Sequence, residues 1–126
     1  MDKKDAQKIA EPVVKRVVDL IAERKYEEIP QVAELADWSV ENVREAIDGF
    51  LELNELPHMD PFDAPCNFHP QYEYHQLECY VYKDGSGFAM DYNLTTDSEL
   101  NDLTLQMEFL CTEDGFKARF LQVHVL

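Results

Sequence analysis

The sequence predicts an α+β fold in which N-terminal helices pack on one face of a four-stranded antiparallel sheet. Two observations support this fold class: apolar residues recur with helical spacing in the first half of the chain, and apolar and polar residues alternate in the second half. The clearest alternation runs from Asn101 to Leu126, where two segments flank the acidic turn Thr112-Glu113-Asp114-Gly115. A short turn that ends in glycine is typical of a β-hairpin. The chain is therefore expected to end in an antiparallel sheet.

Three helices are predicted before the sheet. The first runs from Pro12, which suits the first turn of a helix, to about Arg24, and residues 1–11 are an extra helical turn or a frayed leader. The stretch Tyr26–Pro30 breaks the pattern, because the residue before a proline is driven out of helical geometry. A short helix over Gln31–Ala36 is expected to follow.

The third helix has the clearest start and end. Ser39 is a suitable N-cap, because its hydroxyl can accept a hydrogen bond from the first turn, and the helix is expected to end near Asn54. Its apolar face consists of Val40, Val43, Ala46, Ile47, Phe50 and Leu51. That face is expected to pack on the sheet.

Residues 57–71 contain four prolines and no apolar periodicity, which predicts a proline-rich loop between the helices and the sheet. Residues 72–126 then form the antiparallel sheet, beginning with a strand over Tyr72–Tyr82 and a turn over Lys83–Gly87. Residues 1–56 are the helical part. The 126 residues are predicted to form a single domain, since a chain of this length supports one ordinary hydrophobic core.

The composition is strongly acidic. There are 26 acidic residues against 11 lysines and arginines, which gives a formal net charge of −15. Such a surface repels a phosphate backbone, so nucleic-acid binding is not expected. Residues 31–47 have the spacing of a helix-turn-helix motif. They carry acidic side chains, however, where a DNA-binding helix needs cationic and amide side chains. A basic protein is the favoured partner, and the alternative is that the charge only keeps the protein soluble.

Neither a signal peptide nor a membrane span is expected, because the N-terminus opens with charged residues and no long apolar run follows. We therefore expect a cytoplasmic protein that does not bind membranes. Three cysteines without a CxxC pair fit reduced thiols, namely Cys66, Cys79 and Cys111. Cys79 and Cys111 fall on the apolar side of predicted strands and are expected to pack as small hydrophobic residues.

The sequence carries no signature of catalysis. It lacks a GxSxG motif, a Walker loop, an HExxH motif and a glycine-rich dinucleotide turn, so neither enzymatic activity nor a cofactor is expected. The candidates for a metal site are His58, Cys66 and His69, in the proline-rich loop. A zinc site usually shows two paired motifs, and here Cys66 and His69 form only one, so a polar loop without metal is favoured.

The alternation of the strands also predicts a polar face of the sheet, opposite the helices. This face is rich in tyrosines and carboxylates, which is typical of a recognition surface. The residues expected to contact a partner are Tyr72, Tyr74, Glu78, Tyr80, Asp91 and Glu108. The alternative is that cross-strand tyrosines only stabilise a solvated sheet.

The last third of the chain carries a recognisable pattern. It consists of Asp91–Leu105, which ends in Asn-Asp-Leu-Thr-Leu, and of the terminal His124-Val125-Leu126. This pattern resembles the C-terminal signature of a family of small uncharacterised bacterial α+β proteins, in which a strand ending in leucine-tryptophan-threonine precedes Ser-Asp-Leu-Thr-Leu and the chain closes on His-Val-Leu. Here asparagine replaces the serine and the tryptophan is absent. The resemblance implies an α+β fold and a bacterial cytoplasmic origin, with no catalytic residue.

Small acidic α+β proteins are also similar in type to the immunity proteins of bacterial toxin systems, which block a toxin by surface complementarity. The leading interpretation is a non-enzymatic binding protein whose acidic surface masks a basic partner, as an immunity protein does. The alternative is a small-ligand-binding domain with a pocket between the helices and the sheet. The residues expected to line that pocket, or else to fill the core, are Trp38, Phe50, Phe88, Tyr92 and Phe109.

Overall fold

The structure, a computed structural model, describes residues 1–63 and 76–125. It contains two α-helices and a five-stranded sheet, and four of the five strands follow the helices in the chain. The elements in chain order are α1 (Lys3–Ala22), a 3-10 helix (Tyr26–Gln31), β1 (Glu34–Leu35), α2 (Val40–Leu53), β2 (Leu77–Val81), β3 (Gly87–Thr96), β4 (Glu99–Thr112) and β5 (Gly115–Val125). The predicted α+β class is confirmed. Within the described ranges, no helix combines the length and the apolar character needed to cross a membrane.

The sheet differs from the predicted one in the number and direction of its strands. Its order is β1-β5-β4-β3-β2, and β1 runs parallel to β5 while the other neighbours are antiparallel. The sheet is therefore five-stranded and mixed, and the prediction of four antiparallel strands is wrong. The additional strand is β1, in which Glu34 and Leu35 pair with Arg119 and Phe120. Two residues are too few to show an alternation, so the sequence pattern could not indicate this strand.

The short helix expected over Gln31–Ala36 is also wrong. The chain forms the 3-10 helix before that point, at Tyr26–Gln31, and the following residues lead into β1. Tyr26 and Ile29 are fully buried, so the 3-10 helix adds apolar side chains to the core next to both α1 and α2. Burial of these two side chains favours helical geometry here although Pro30 lacks a backbone donor.

Helix α1 begins at Lys3, so most of residues 1–11 is regular helix and Pro12 lies inside it. Ala6 and Ala10 are fully buried and extend the apolar stripe of α1 towards its N-terminus. Alanine carries a weaker hydrophobic signal than valine, which is why the apolar repeat is obvious only after Pro12. Packing against the sheet, which propensity rules ignore, therefore explains the extra length.

Both helices have side-chain caps at their N-termini. The Asp2 carboxylate accepts a hydrogen bond from the Asp5 amide at 2.9 Å. At the start of α2 the Ser39 hydroxyl accepts from the Asn42 amide at 3.1 Å, while the Asn42 side chain accepts from the Ser39 amide at 2.9 Å. This reciprocal arrangement is a capping box. The predicted bounds of α2, from the cap at Ser39 to Asn54, are confirmed.

The core lies between the two helices and the apolar side of the sheet. Phe88 and Phe109 stack within it, with ring centroids 4.9 Å apart, and both are buried. Cys79 is buried as expected, and burial raises the pKa of its thiol to about 11. Cys111 is exposed, because it lies beside the turn between β4 and β5, so its predicted role as a packed hydrophobic residue is wrong.

The predicted turn before β3 ends at Gly87, where a side chain would strain the structure. Gly87 has a φ of 149°, and a Cβ built on it would collide with the carbonyl oxygen of Phe109 on the neighbouring strand. Glycine is therefore required both by the backbone conformation and by the close approach of β4.

We expect Gly87→Ala to lower the free energy of unfolding by about 2–4 kcal/mol, because the new methyl group must push β3 and β4 apart. Gly49→Ala is the matched control. Gly49 lies on the exposed side of α2 with open space around a new Cβ, and alanine should stabilise the helix by about 0.5–1 kcal/mol. Urea denaturation measures both values, and an unchanged stability of Gly87→Ala would contradict this account.

Candidate functional site

The face of the sheet opposite the helices, the open face, carries mainly polar side chains. Strand register arranges them in rows across β2 to β5, so that side chains on neighbouring strands lie side by side. The open face consists of Glu78, Tyr80, Ala89, Asp91, Asn93, Thr104, Gln106, Glu108, Leu110, Lys117, Arg119, Gln122 and His124.

Among the predicted contact residues, Glu78, Tyr80, Asp91 and Glu108 lie together on the open face, as the alternation predicts. Tyr72 and Tyr74 lie outside the described residues. The structure therefore brings the described members of the set to one surface, and their role in binding a partner stays a prediction.

Glu108 is bound within the chain. Arg119, directly opposite on β5, donates a hydrogen bond to Glu108 Oε1 at 2.5 Å, and the Tyr82 hydroxyl donates to Oε2 at 2.9 Å. The Glu108 side chain is only 14% exposed. Burial, together with the hydrogen bond to Glu108, raises the pKa of Tyr82 to about 12. Glu108 is thus part of the internal structure of the sheet and offers less to a partner than its position alone suggests.

An amide ladder crosses the middle of the open face. The Gln122 side chain donates to Gln106 Oε1 at 2.8 Å, and Gln106 donates in turn to Asp91 Oδ1 at 3.1 Å. Within the described residues, Asp91 has no cationic partner. The ladder orients the Asp91 carboxylate and leaves its charge unpaired.

Glu78, Tyr80 and Asp91 form the β2 corner of the open face. Glu78 and Asp91 lie directly opposite each other on β2 and β3, and Tyr80 is 47% exposed. Lys3 reaches this corner from the first turn of α1: its Nζ donates to Glu78 Oε1 at 2.9 Å and lies 5.8 Å from the centre of the Tyr80 ring. Burial, followed by the charges of Asp91 and Glu78, raises the pKa of Tyr80. The corner is therefore rich in negative potential.

The predicted metal candidates are only partly placed. Cys66 and His69 lie outside the described residues. His58 lies near two carboxylates instead, with its Nε2 3.3 Å from Asp60 Oδ1 and 3.1 Å from Asp97 Oδ1. An imidazole and two carboxylates this close together could bind a metal ion. Whether Asp60 is a metal ligand or has a structural role is judged from its other contacts.

The buried Asp60 carboxylate holds the tip of the β3–β4 hairpin. Its Oδ2 accepts hydrogen bonds from the Thr95 hydroxyl at 2.8 Å and the Ser98 amide at 2.9 Å, and its Oδ1 accepts from the Asp97 amide at 3.1 Å. Asp97 and Ser98 have φ values of 50° and 67°, which a two-residue hairpin turn requires and which cost energy in residues other than glycine. These hydrogen bonds explain Asp60 as an anchor of the turn.

The pattern noted at residues 101–105 is part of the same hairpin. The Asn101 side chain accepts a hydrogen bond from the Leu103 amide at 3.0 Å, and Asp102 has a φ of 69° where the β3–β4 register is irregular. Thr104 is buried and donates to Asn93 Oδ1 at 2.8 Å. The pattern therefore specifies a β-bulge and its hydrogen bonds.

Among the aromatic residues of the alternative ligand pocket, Phe88, Tyr92 and Phe109 are buried in the core, while Trp38 and Phe50 are partly buried and pack against it. Phe88 and Phe109 stack on each other, Tyr92 stacks on Phe62 with ring centroids 5.3 Å apart, and Trp38 lies 6.0 Å from Phe120. These contacts favour a filled core over a pocket. A groove of about 420 Å³ lies on the outer side of α1, and its lining residues are Pro12, Lys15, Arg16, Asp19, Leu20, Glu23, Lys25 and Glu28.

The Asp60 anchor should make stability depend on pH. Burial raises the pKa of the Asp60 carboxyl, but hydrogen bonds from Ser98, Thr95 and Asp97 and the nearby His58 outweigh it, so the pKa lies below its usual value. A carboxyl with a lowered pKa stabilises the folded protein above its unfolded-state pKa of about 4. This contribution is lost as the pH falls through the folded-state pKa.

We expect Asp60→Asn to lower the free energy of unfolding near neutral pH by about 1–3 kcal/mol, and to flatten the decline in melting temperature below about pH 4. Asp97→Asn is the control, because Asp97 is exposed and asparagine tolerates its positive φ. Thermal unfolding followed by circular dichroism measures both variants. Identical pH profiles for Asp60→Asn and the parent protein would contradict the anchor.

Comparison with known proteins identifies a family whose function is unknown. No curated protein and no solved structure matches the chain. A family model described as "Domain of unknown function (DUF7668)" matches residues 18–126. The matched region includes α2, the five strands and the β2 corner, while Lys3 precedes it. Because the match covers most of its length, the chain belongs to the DUF7668 family.

Proposed function

We propose that the protein is a non-enzymatic binding protein that holds a basic protein partner on its open face. The observation that carries this proposal is the β2 corner, where the exposed Tyr80 lies beside the carboxylates of Glu78 and Asp91 on a hydrogen-bonded sheet. Tyrosine is a frequent anchor residue at protein interfaces. Carboxylates next to such an anchor attract and orient a cationic partner.

The charge balance supports a basic partner. With 26 acids and 11 lysines and arginines, more than half of the carboxylates cannot be matched one to one by a cation. The cations that form ion pairs with carboxylates within the described ranges are Lys3, Lys15, Arg24, Lys25, Arg44, Lys117 and Arg119. The remaining negative charge raises the association rate with a basic protein and makes the association sensitive to salt.

The contact residues have different roles in this proposal. Glu78, Tyr80 and Asp91 are the primary contacts, because Tyr80 is exposed and Asp91 is unpaired within the described ranges. Glu108 supports the surface from within, since Arg119 and Tyr82 already bind it. Tyr72 and Tyr74 complete the proposed surface on grounds of sequence alone.

The finer role that we propose is that of an immunity protein, which masks a basic toxin in the bacterial cytoplasm. Its support is the acidic composition and the preformed open face, which suits binding by surface complementarity. The free thiols of Cys79 and Cys111 fit a reducing compartment.

We expect the tagged protein to retain a basic protein from a lysate of its source organism at low salt. The double variant Tyr80→Ala/Asp91→Lys should retain at least about tenfold less, because it removes the anchor and reverses a charge beside it. Glu113→Lys is the control: it changes the net charge by the same amount in the exposed turn between β4 and β5. Quantitative mass spectrometry of the retained proteins measures the ratio.

Equal retention by the double variant and by Glu113→Lys would show that only net charge matters and would overturn the assignment to the open face. Retention of no basic protein by the parent bait would overturn the partner class. A high-salt wash should reduce the specific retention, since screening weakens the attraction between exposed charges.

A further inference from the structure

We propose that the β2 corner is a seat for one cationic side chain, which Lys3 occupies in the free protein and an arginine of the partner takes on binding. The inference rests on the proposed function for the existence of a basic partner. It specifies the side chain that the partner inserts, an arginine, and the internal contact that this side chain displaces, that of Lys3.

The first argument is the arrangement of negative groups in the corner. Glu78 and Asp91 are directly opposite each other in the β2–β3 register, and like charges in such a pair destabilise a sheet. A cation near both carboxylates relieves this repulsion. The face of an aromatic ring such as Tyr80 attracts a cation as well. Three neighbouring groups of the same surface therefore favour the same kind of ligand.

The second argument is that a cation already occupies the corner. Lys3 does not belong to the sheet, and it lies 75 positions before Glu78 in the sequence. Its ammonium nevertheless contacts the Glu78 carboxylate at 2.9 Å and lies over the Tyr80 ring. The contact made by Lys3 thus shows that the corner can hold a cationic side chain.

The third argument is that Lys3 is easy to replace. Its side chain is 66% exposed, and exposed ion pairs contribute little to stability. The ammonium of Lys3 binds one carboxylate of the corner, whereas Asp91 receives only the Gln106 amide within the described residues. Displacement of Lys3 therefore costs little, and it frees the Glu78 carboxylate beside the unpaired Asp91 carboxylate.

Arginine suits the vacated seat better than lysine. Its planar guanidinium has five donors, so it can bridge two carboxylates and lie flat on an aromatic ring at the same time. Beside the corner, a groove of about 270 Å³ can hold the stem of the incoming side chain. Its lining residues are Lys3, Gln7, Leu77, Glu78 and Cys79. The partner is accordingly expected to present an arginine on a convex surface.

The test is an NMR titration of the isotope-labelled protein with N-acetyl-arginine amide, which needs no knowledge of the partner. The matched probes are N-acetyl-lysine amide and N-acetyl-citrulline amide, the second of which has nearly the shape of arginine without its charge. We expect the arginine probe to shift the amide signals of Tyr80 and Asp91 at lower concentration than the lysine probe. The citrulline probe should leave these signals unchanged.

Variants then test the displacement of Lys3. Lys3→Met should strengthen binding of the arginine probe by up to about fivefold, because the internal competitor is gone. Lys8→Met is the control, since Lys8 is an exposed lysine of α1 without an ion pair in the described ranges and its loss changes the net charge equally. Asp91→Asn should remove the preference for arginine over lysine. These side chains are solvent-accessible, and melting temperatures confirm that each variant folds.

Equal effects of Lys3→Met and Lys8→Met would overturn the occupancy by Lys3. Shifts of the same signals by the citrulline probe would overturn the cation seat. The result is separable from the proposed function: if the arginine probe binds as expected but Tyr80→Ala/Asp91→Lys still retains the partner protein, the seat stands and the placement of the partner on the open face fails.

Discussion

The burial of one side of the sheet under α1, the 3-10 helix and α2 is the interaction on which the rest of the structure depends. Side chains alternate along a strand, so burying Phe88, Met90 and Phe109 places Asp91 and Glu108 on the other side. A slip of one residue would bring those carboxylates into the core. The hydrophobic core therefore determines which residues the open face presents.

The open face could be predicted from the sequence because a period of two is a strong signal in long strands. Glu78, Tyr80 and Asp91 lie where the alternation indicates. Whether a given carboxylate of the open face is paired with a cation could not be predicted in the same way. The pairing of Glu108 with Arg119 depends on the β4–β5 register, which changes at an irregularity after Gln106. Glu108 therefore lies in a row with Arg119, whereas the row of Asp91 contains the uncharged Gln106 and Gln122.

Other features could not be predicted because they depend on short segments, on small side chains or on contacts between residues far apart in the sequence. The strand β1 is too short for a pattern, and the N-terminal turns of α1 pack through alanines, whose hydrophobic signal is weak. The hydrogen bond between Asp60 and the Asp97 amide joins residues 37 positions apart. The sequence indicates His58 as a candidate metal ligand, whereas the structure places it beside Asp60, whose carboxylate closes a strained hairpin.

The parallel pairing of β1 with β5 has a consequence for the order of folding. The β3–β4 and β4–β5 hairpins each close over two residues, at Asp97-Ser98 and at Glu113-Asp114, so β3, β4 and β5 can assemble through local contacts. Glu34 and Arg119 must instead meet across most of the chain, and closing so long a loop is entropically expensive. We expect β1 to dock last. Until then the outer edge of β5 has no strand to pair with, which makes the late folding stage the one most exposed to aggregation.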